Sequence, residues 1–514
     1  MRFLVSVLMV LGLGVVAATA KPTPRSAARP VAKAKIVVVK SVTSCTVTDR
    51  GYAANLAEKT HRWLKDGGVR ADLVDDRALA SVLVGRRLAY LVVCQKPTPP
   101  QIQALSAFKS RGGKIAVLQS YSPELAALMG IPPPQPSTNR THPAEATPLR
   151  GGWWSSNVFR ADGEEEAKSK LLLSMAGIAV PGSWNESAWE ARRKARHAAE
   201  FDYGRRQLPR AGEIHAVWDH TGQGLYPGDW PRTMRLLKAN GVTDLVVNVA
   251  GAGFAHYPSR ILAQSQIYVK HGDQLAACLA AARGTGIRVH AWVLCFNGTR
   301  GSASSRASLA KRGWRLKDKS GHLTDYLDPT NPDLRWHLIS AIDELVRAYP
   351  VAGVHLDFVR WYEKAASKPR NPSTAITSFV SSVRTRLRST RPRMWLTVAV
   401  LAGYPSCVSS VGQDWESWID QGLVDYAMPM NYFEDAAKYA AVVARQANTP
   451  RRARHLISGI GVTANESVLS PVQVIDQVNA ARRAGVAGVA LFDLDQTLAV
   501  RVLPVLRLGL FRAQ

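Results

Sequence analysis

From Glu213 to Phe492 the chain repeats one pattern: a short apolar run rich in β-branched residues, a polar or aromatic residue at its end, then a stretch with helical spacing. The strand-like runs are Glu213 to Trp218, Asp244 to Val249, Arg288 to Cys295, Gly353 to Phe358, Trp395 to Val400, Val424 to Met430, His455 to Ile460 and Gly488 to Phe492. Helical stretches such as Pro231 to Ala239 and Gln274 to Arg283 separate them. Eight βα units in about 300 residues predict a (β/α)8 TIM barrel, whose active site lies at the C-terminal strand ends. Near-continuous apolar runs fit parallel strands covered by helices on the outside.

A chain of 514 residues exceeds one ordinary domain, and the part before the barrel reads as a second α/β unit. Ile36 to Val39, Asp72 to Val74, Leu88 to Val93 and Lys114 to Leu118 carry strand signals, and Tyr52 to Lys65 and Pro100 to Ser110 carry helical ones. The expected division is a signal peptide over 1–20, a basic disordered linker over 21–34, an N-terminal α/β domain over 35–180, a helical connector over 181–211 and the barrel over 212–514. Trp153 and Trp154 are expected to pack in a core rather than stack on sugars.

Arg2, the apolar run from Phe3 to Val16 and the small residues Ala18-Thr19-Ala20 have the layout of a cleaved secretory signal. The apolar run is shorter than the ~20 residues a membrane span needs. Export places the protein in the periplasm or outside the cell, with no membrane span left after cleavage. Lys and Arg total 66 against 39 Asp and Glu, a net charge of +27. Either anionic cell-wall polymers attract this charge, or a GC-rich genome has written Arg over solvated faces. Without a recognition motif, and with an export signal, nucleic acid is not an expected partner. The five cysteines are an odd set without CxxC spacing, so neither a disulfide framework nor a zinc site is expected, although Cys45 and Cys94 could pair if their strand ends are adjacent.

Polar and aromatic residues collect after most strands. Trp218, Asp219 and His220 follow the first, Asn248 and His256-Tyr257-Pro258-Ser259 the second, and His290, Trp292 and Asn297 mark the third. Asp357, Arg360 and Trp361 end the fourth, Asn431, Tyr432, Glu434 and Asp435 follow the sixth, and Asp493 and Asp495 follow the eighth. Carboxylates among Trp and Tyr at a barrel mouth suit glycoside cleavage, in which one carboxylic acid protonates the leaving oxygen and a second carboxylate attacks or activates water. Metal hydrolysis fits less well, since no His-x-His lies on the first strand; neither metal nor cofactor is expected.

Several segments carry a family resemblance: Ala216 to Gly222 (A-V-W-D-H-T-G), Ala255 to Arg260 (A-H-Y-P-S-R), Val289 to Trp292 (V-H-A-W), Asp325 to Pro332 (D-Y-L-D-P-T-N-P), Gly353 to Trp361 (G-V-H-L-D-F-V-R-W), Gln413 to Trp418 (Q-D-W-E-S-W) and Asp425 to Tyr432 (D-Y-A-M-P-M-N-Y). Together they resemble the bacterial family called glycosyl hydrolase-like 10. The resemblance implies an amylase-like barrel acting on glycans, with Asp357 on the family's aspartate after the fourth strand. Asp357-Phe358 and Trp361-Tyr362 depart from its usual Asp-Tyr and Arg-aromatic-Pro pattern and alter a cleft wall. The phrase F-K-S-R-G-G-K-I-A-V-L within Ala107 to Leu118 resembles flavodoxin-like, amidotransferase-like domains, but Cys94 lacks the Gly-flanked elbow of a nucleophile, so that domain is expected to be non-catalytic.

The partner acid is open. Amylase-like barrels place Glu after the fifth strand, where this chain has Leu401-Ala402-Gly403-Tyr404-Pro405. Glu434 and Asp493 are the nearest substitutes, with Asp414 a third, though Glu434 equally suits the first turn of a helix and Asp328 and Asp414 suit N-caps. The catalytic candidates are therefore Asp357, Glu434 and Asp493. Trp218, His220, Asn248, Tyr257, His290, Trp292, Arg360, Trp361 and Tyr432 are the expected substrate contacts. These readings point to an exported glycoside hydrolase acting on a polysaccharide such as peptidoglycan glycan strands, or to a non-catalytic carbohydrate-binding or cell-wall scaffold protein built on the same barrel.

Overall fold

The computed structural model describes residues 33–46, 49–132, 145–159, 165–464 and 466–512. The expected signal peptide, and the linker up to residue 32, lie outside the described residues. The chain divides into two compact units, one ending near residue 134 but taking in 148–154, the other running from 155 onward with 135–147.

The first unit is a six-stranded sheet in the order Ala71–Asp75, Ile36–Lys40, Leu88–Val92, Lys114–Leu118, Gly152–Ser155, Thr147–Leu149, and the first four strands of that order are parallel. Helix Pro99–Ser110 starts where Thr98 and Gln101 satisfy each other's backbone N–H groups, and its Leu105 and Phe108 join Val37, Leu91, Val117 and Trp154 in the core. Trp153 is buried as well. Asp76, after Ala71–Asp75, accepts the N–H groups of Val42, Thr43 and Ser44 and so ties down the loop after the neighbouring strand Ile36–Lys40. Cys45 and Cys94 are free thiols rather than a disulfide, and burial pushes Cys94 up to about 12, which disarms it as a nucleophile at neutral pH.

In the second unit the eight strands are Ile214–Asp219, Asp244–Gly251, Arg288–Leu294, Gly353–Asp357, Trp395–Leu401, Tyr426–Met430, Ile457–Gly461 and Gly488–Phe492. Pairing runs sixth-fifth-fourth-third-second-first-eighth-seventh, all parallel, and one bridge between Ala427 and Leu456 closes the ring into a TIM barrel. Side chains alternate: Leu245, Val247, Val354 and Leu356 face the helices, while Val246, Trp292, Met428 and Ala490 fill the interior. Bulky interior residues are accommodated by glycines opposite them. A Cβ on Gly459 would lie 3.1 Å from the Trp218 ring, and one on Gly461 would lie 2.8 Å from Tyr432.

Helices Glu165–Ala179 and Glu186–Arg205 belong to the barrel unit, so the division along the chain falls near residue 155 rather than at 180, and 186–205 is no free connector. Arg501 reaches Glu166 at 3.4 Å and Glu200 at 2.9 Å, and the Tyr203 hydroxyl donates to Asp476 at 2.7 Å. These partners lie hundreds of residues apart, so local charge spacing could not reveal them.

Candidate active site

Asp357 is the last residue of the fourth strand and 7% exposed. Trp292 Nε1–H donates to its Oδ2 at 3.2 Å, and the Phe358 N–H donates to Oδ1 at 2.6 Å. Burial raises this carboxyl, while Arg360 and the two N–H donors favour its anion. Phe358 itself has a φ of +50°, a conformation that bulky residues rarely take. The strained turn lets one residue support Asp357 with its amide and show its ring at the mouth.

Across the mouth, Asp493 follows the eighth strand. The His220 N–H donates to its Oδ1 at 3.2 Å, and His220 Nδ1 lies 4.0 Å from Oδ2. Burial, with the neighbouring Asp219 charge, lifts Asp493 to about 7. His220 is 41% exposed on its side chain, and its ring lies 5.8 Å from Trp292, so Asp493, His220, Trp292 and Asp357 form a continuous row. Tyr432 stacks on Phe492 at 5.4 Å and feels the charge of both Asp357 and Asp493, which, after burial, hold its phenol protonated. An acid protonated near neutrality and a donor-supported carboxylate thus share one polar mouth, the requirement for general acid and base chemistry.

The floor joins Trp218 to two groups not singled out in the sequence, His355 and Thr397. Trp218, 2% exposed, donates its Nε1–H to His355 Nε2 at 3.1 Å, and His355 Nδ1 lies 2.8 Å from Thr397 Oγ1. Because indole only donates, the His355 proton sits on Nδ1, and burial lowers this imidazole to about 3, so it stays neutral. His355 was hidden inside an apolar run; its place two residues before Asp357, on the same face of the strand, was the available signal. Asp219 is also structural here: it accepts the N–H groups of Thr221, Gly222 and Gly224 and shapes the loop after the first strand.

The expected substrate contacts divide. His220, Arg360 and Tyr432 are partly exposed beside the carboxyls, and Trp292 and Trp218 lie directly beneath. Asn248 shares the inward row with Trp292 through strand pairing but is wholly buried, and neither end of its amide has a hydrogen-bond partner. Three residues lie elsewhere. His290 sits near the N-terminal barrel end, 2.8 Å from Asp244 and stacked on Trp395, because an inward residue near the start of a strand faces the opposite end. Tyr257 packs edge-on against Tyr349, and Trp361 lies in the layer between strands and helices.

Of the remaining carboxylates, Glu434 accepts the Val468 N–H at 3.2 Å, tying it to the loop after the seventh strand, and its neighbour Asp435 caps the helix Ala436–Gln446. Asp414 precedes a helix without capping it by its side chain; it accepts from the Tyr404 hydroxyl. Asp328 closes a turn onto Thr330, and Asn331 is the actual cap of the helix Pro332–Ala348.

Residues 231–374, which include the second, third and fourth strands and Asp357, match the family model Glycosyl hydrolase-like 10. No curated protein matches the chain. Among solved structures, the glycoside hydrolase domain of PgaB (BpsB) from Bordetella bronchiseptica is 12% identical, with a TM-score of 0.45 over 55% of this chain and 93% of that one. The β-amylase catalytic domain of Paenibacillus polymyxa is 10% identical, with a TM-score of 0.40 over 55% and 93% of the two chains. The endo-1,4-β-mannanase of Rhizomucor miehei is 10% identical, with a TM-score of 0.39 over 55% and 86%.

Proposed function

We propose that this chain is an exported glycoside hydrolase that cleaves a cell-wall polysaccharide, with peptidoglycan glycan strands as substrate, by a two-carboxylate mechanism. Asp493 donates its proton to the departing glycosidic oxygen, and Asp357 serves as nucleophile or as the base that activates water. The observation that carries the reading is the contrast in surroundings between two carboxyls that burial raises alike: Asp493 stands beside the Asp219 charge and is lifted to about 7, while Asp357 accepts two N–H donors with Arg360 nearby to favour its anion. Two carboxyls raised by burial but given different donors and neighbouring charges are how one site supplies an acid and a base at the same pH. His220 orients Asp493 through its backbone N–H, and the Tyr432 ring walls the mouth beside them. The N-terminal signal-like segment supports export to the periplasm or beyond, and a net charge of +27 suits an anionic polymer.

The test is digestion of peptide-free glycan strands, chitin, mannan and starch by the purified protein, with product masses read out. Release of defined oligosaccharides from the glycan strands is expected; cleavage of none of the four sinks the reading. Fractionation of cells should recover the protein outside the cytoplasm, cut near Lys21, and a predominantly uncut cytoplasmic pool would remove export from the proposal.

A further inference from the structure

Between the third strand and the helix Pro332–Ala348 the chain makes an excursion that the barrel does not need: a helix, Ala303–Lys311, and a two-stranded hairpin, Arg315–Lys317 with Leu323–Leu327. The hairpin is fastened at two places. Asn297 bridges to Tyr326, with Gly298 N–H donating to the Asp325 carbonyl at 2.8 Å, and Asp318 bridges to Ala365, with Ala366 N–H donating to the Lys317 carbonyl at 2.8 Å. The second fastening joins it to the loop that leaves Asp357.

This joint brings three aromatic rings from two segments together. Tyr326 of the hairpin and Tyr362 of the loop stack face to face, centroids 3.9 Å apart and planes 9° apart, and Phe358 lies 6.0 Å from Tyr326. The Arg360 guanidinium lies 4.2 Å from the Phe358 ring centre. All four side chains are only partly buried. Each ring packs against the barrel's hydrophobic core yet stays in part open to solvent, beside the Asp357 carboxyl and around a turn strained at Phe358.

We infer that the Tyr326–Tyr362 pair, with Phe358 at its edge and Arg360 beside it, is a stacking subsite for a pyranose ring of the glycan, at least one sugar along from the bond at Asp357. The inference rests on the glycan-directed reading of the mouth and adds to it that the enzyme grips a polymer rather than a short fragment. An aromatic face gives a sugar's C–H face apolar contact, and Arg360 supplies hydrogen-bond donors for ring hydroxyls or an acidic substituent.

The experiment uses the full chain and peptide-free peptidoglycan glycan strands. In an Asp357→Asn background, which separates binding from turnover, Tyr362→Ala should weaken strand binding on the order of tenfold, whereas Tyr362→Phe, which keeps the flat ring, should bind like its parent. In the active background Tyr362→Ala should raise KM for strands by a similar factor, with kcat nearly unchanged, and should leave kcat/KM for a disaccharide fragment alone. Tyr326→Leu, which keeps bulk without a flat ring, gives a second reading should Tyr362→Ala fail to fold. Strand cleavage with an unaltered KM in the Tyr362 and Tyr326 variants overturns the subsite while leaving the proposed function standing. Binding that depends on Tyr362 in a chain that cleaves nothing does the reverse, and strands that bind neither background overturn both.

Discussion

The two ends of the barrel hold similar carboxylates under opposite conditions. At the N-terminal end Asp244 is bonded by Arg288 Nε at 2.8 Å and faces His290 Nε2 at 2.8 Å, and despite burial these partners lower it to about 2. Glu213, beside Arg482 and His215, is lowered in the same way. At the C-terminal end burial raises both Asp357 and Asp493. All four carboxylates belong to the one barrel; the difference is the number of cations within reach. One end spends its charges on holding the barrel together, and the other leaves its carboxyls without such cation clamps, as the proposed chemistry requires.

The sharpest way to break this comparison is Asp357→Asn, which keeps size and loses charge. Hydrolysis of the identified glycan should fall on the order of 10²-fold to 10⁴-fold with little change in melting temperature. A variant as fast as the parent, or one that unfolds, would move Asp357 to the structural class. At the other end Asp244→Asn strips the buried His290 and the exposed Arg288 of their shared partner and should cost about 1–3 kcal/mol in denaturant unfolding, while the residual folded protein keeps its kcat. A stable Asp244→Asn protein with impaired turnover would erase the division between the two ends.

The same contrast appears along the pH axis, with opposite signs. Asp493 is raised from 3.8 to about 7, so the folded state holds its proton longer and this site's contribution to stability declines as pH rises through that window. Asp244, lowered from 3.8 to about 2, contributes stability that is present above its ordinary value and is lost as pH falls toward 2. Asp493→Asn should therefore gain stability relative to the parent between pH 4 and pH 7, by on the order of 2–4 kcal/mol, and abolish the fall in activity on the alkaline side. Stability curves that stay parallel over that range would show that Asp493 is not lifted. The smallest effect is expected of Glu434→Gln, since its carboxylate holds a loop: less than about tenfold in kcat, against the larger loss at Asp493. A loss matching that of Asp357→Asn would make Glu434 the acid.

All eight barrel strands were legible because parallel strands buried on both faces announce themselves as apolar runs, and the observed ends differ by no more than two residues. Asp357 and Asp493 were legible for a related reason: a carboxylate just past such a run must lie at the mouth. His290 was misread because the same run has two ends, and a polar residue near its start faces the wrong one. Tyr257 and Trp361 were misread because aromatic residues serve a helix-facing core as readily as a sugar site. Tyr326 was not singled out, since its partner Tyr362 comes from another segment and only the fastened hairpin brings the rings together.

The barrel's one-bridge seam gives its motions a direction. Between the sixth and seventh strands the backbone ladder shrinks to Ala427 and Leu456, and the polar clasp of Asn431, Gln446, Tyr439 and Ser458 on the helix side spans the rest. Backbone ladders resist opening along their whole length, whereas a clasp of side chains can let go as a unit. In hydrogen-exchange experiments the amides bordering this seam should trade with solvent ahead of those at the seven other strand junctions. Since Tyr432 follows the sixth strand and lies against Gly461 of the seventh, each such opening would also widen the mouth. The barrel would then breathe at the wall where a long glycan chain could be laid in from the side rather than threaded.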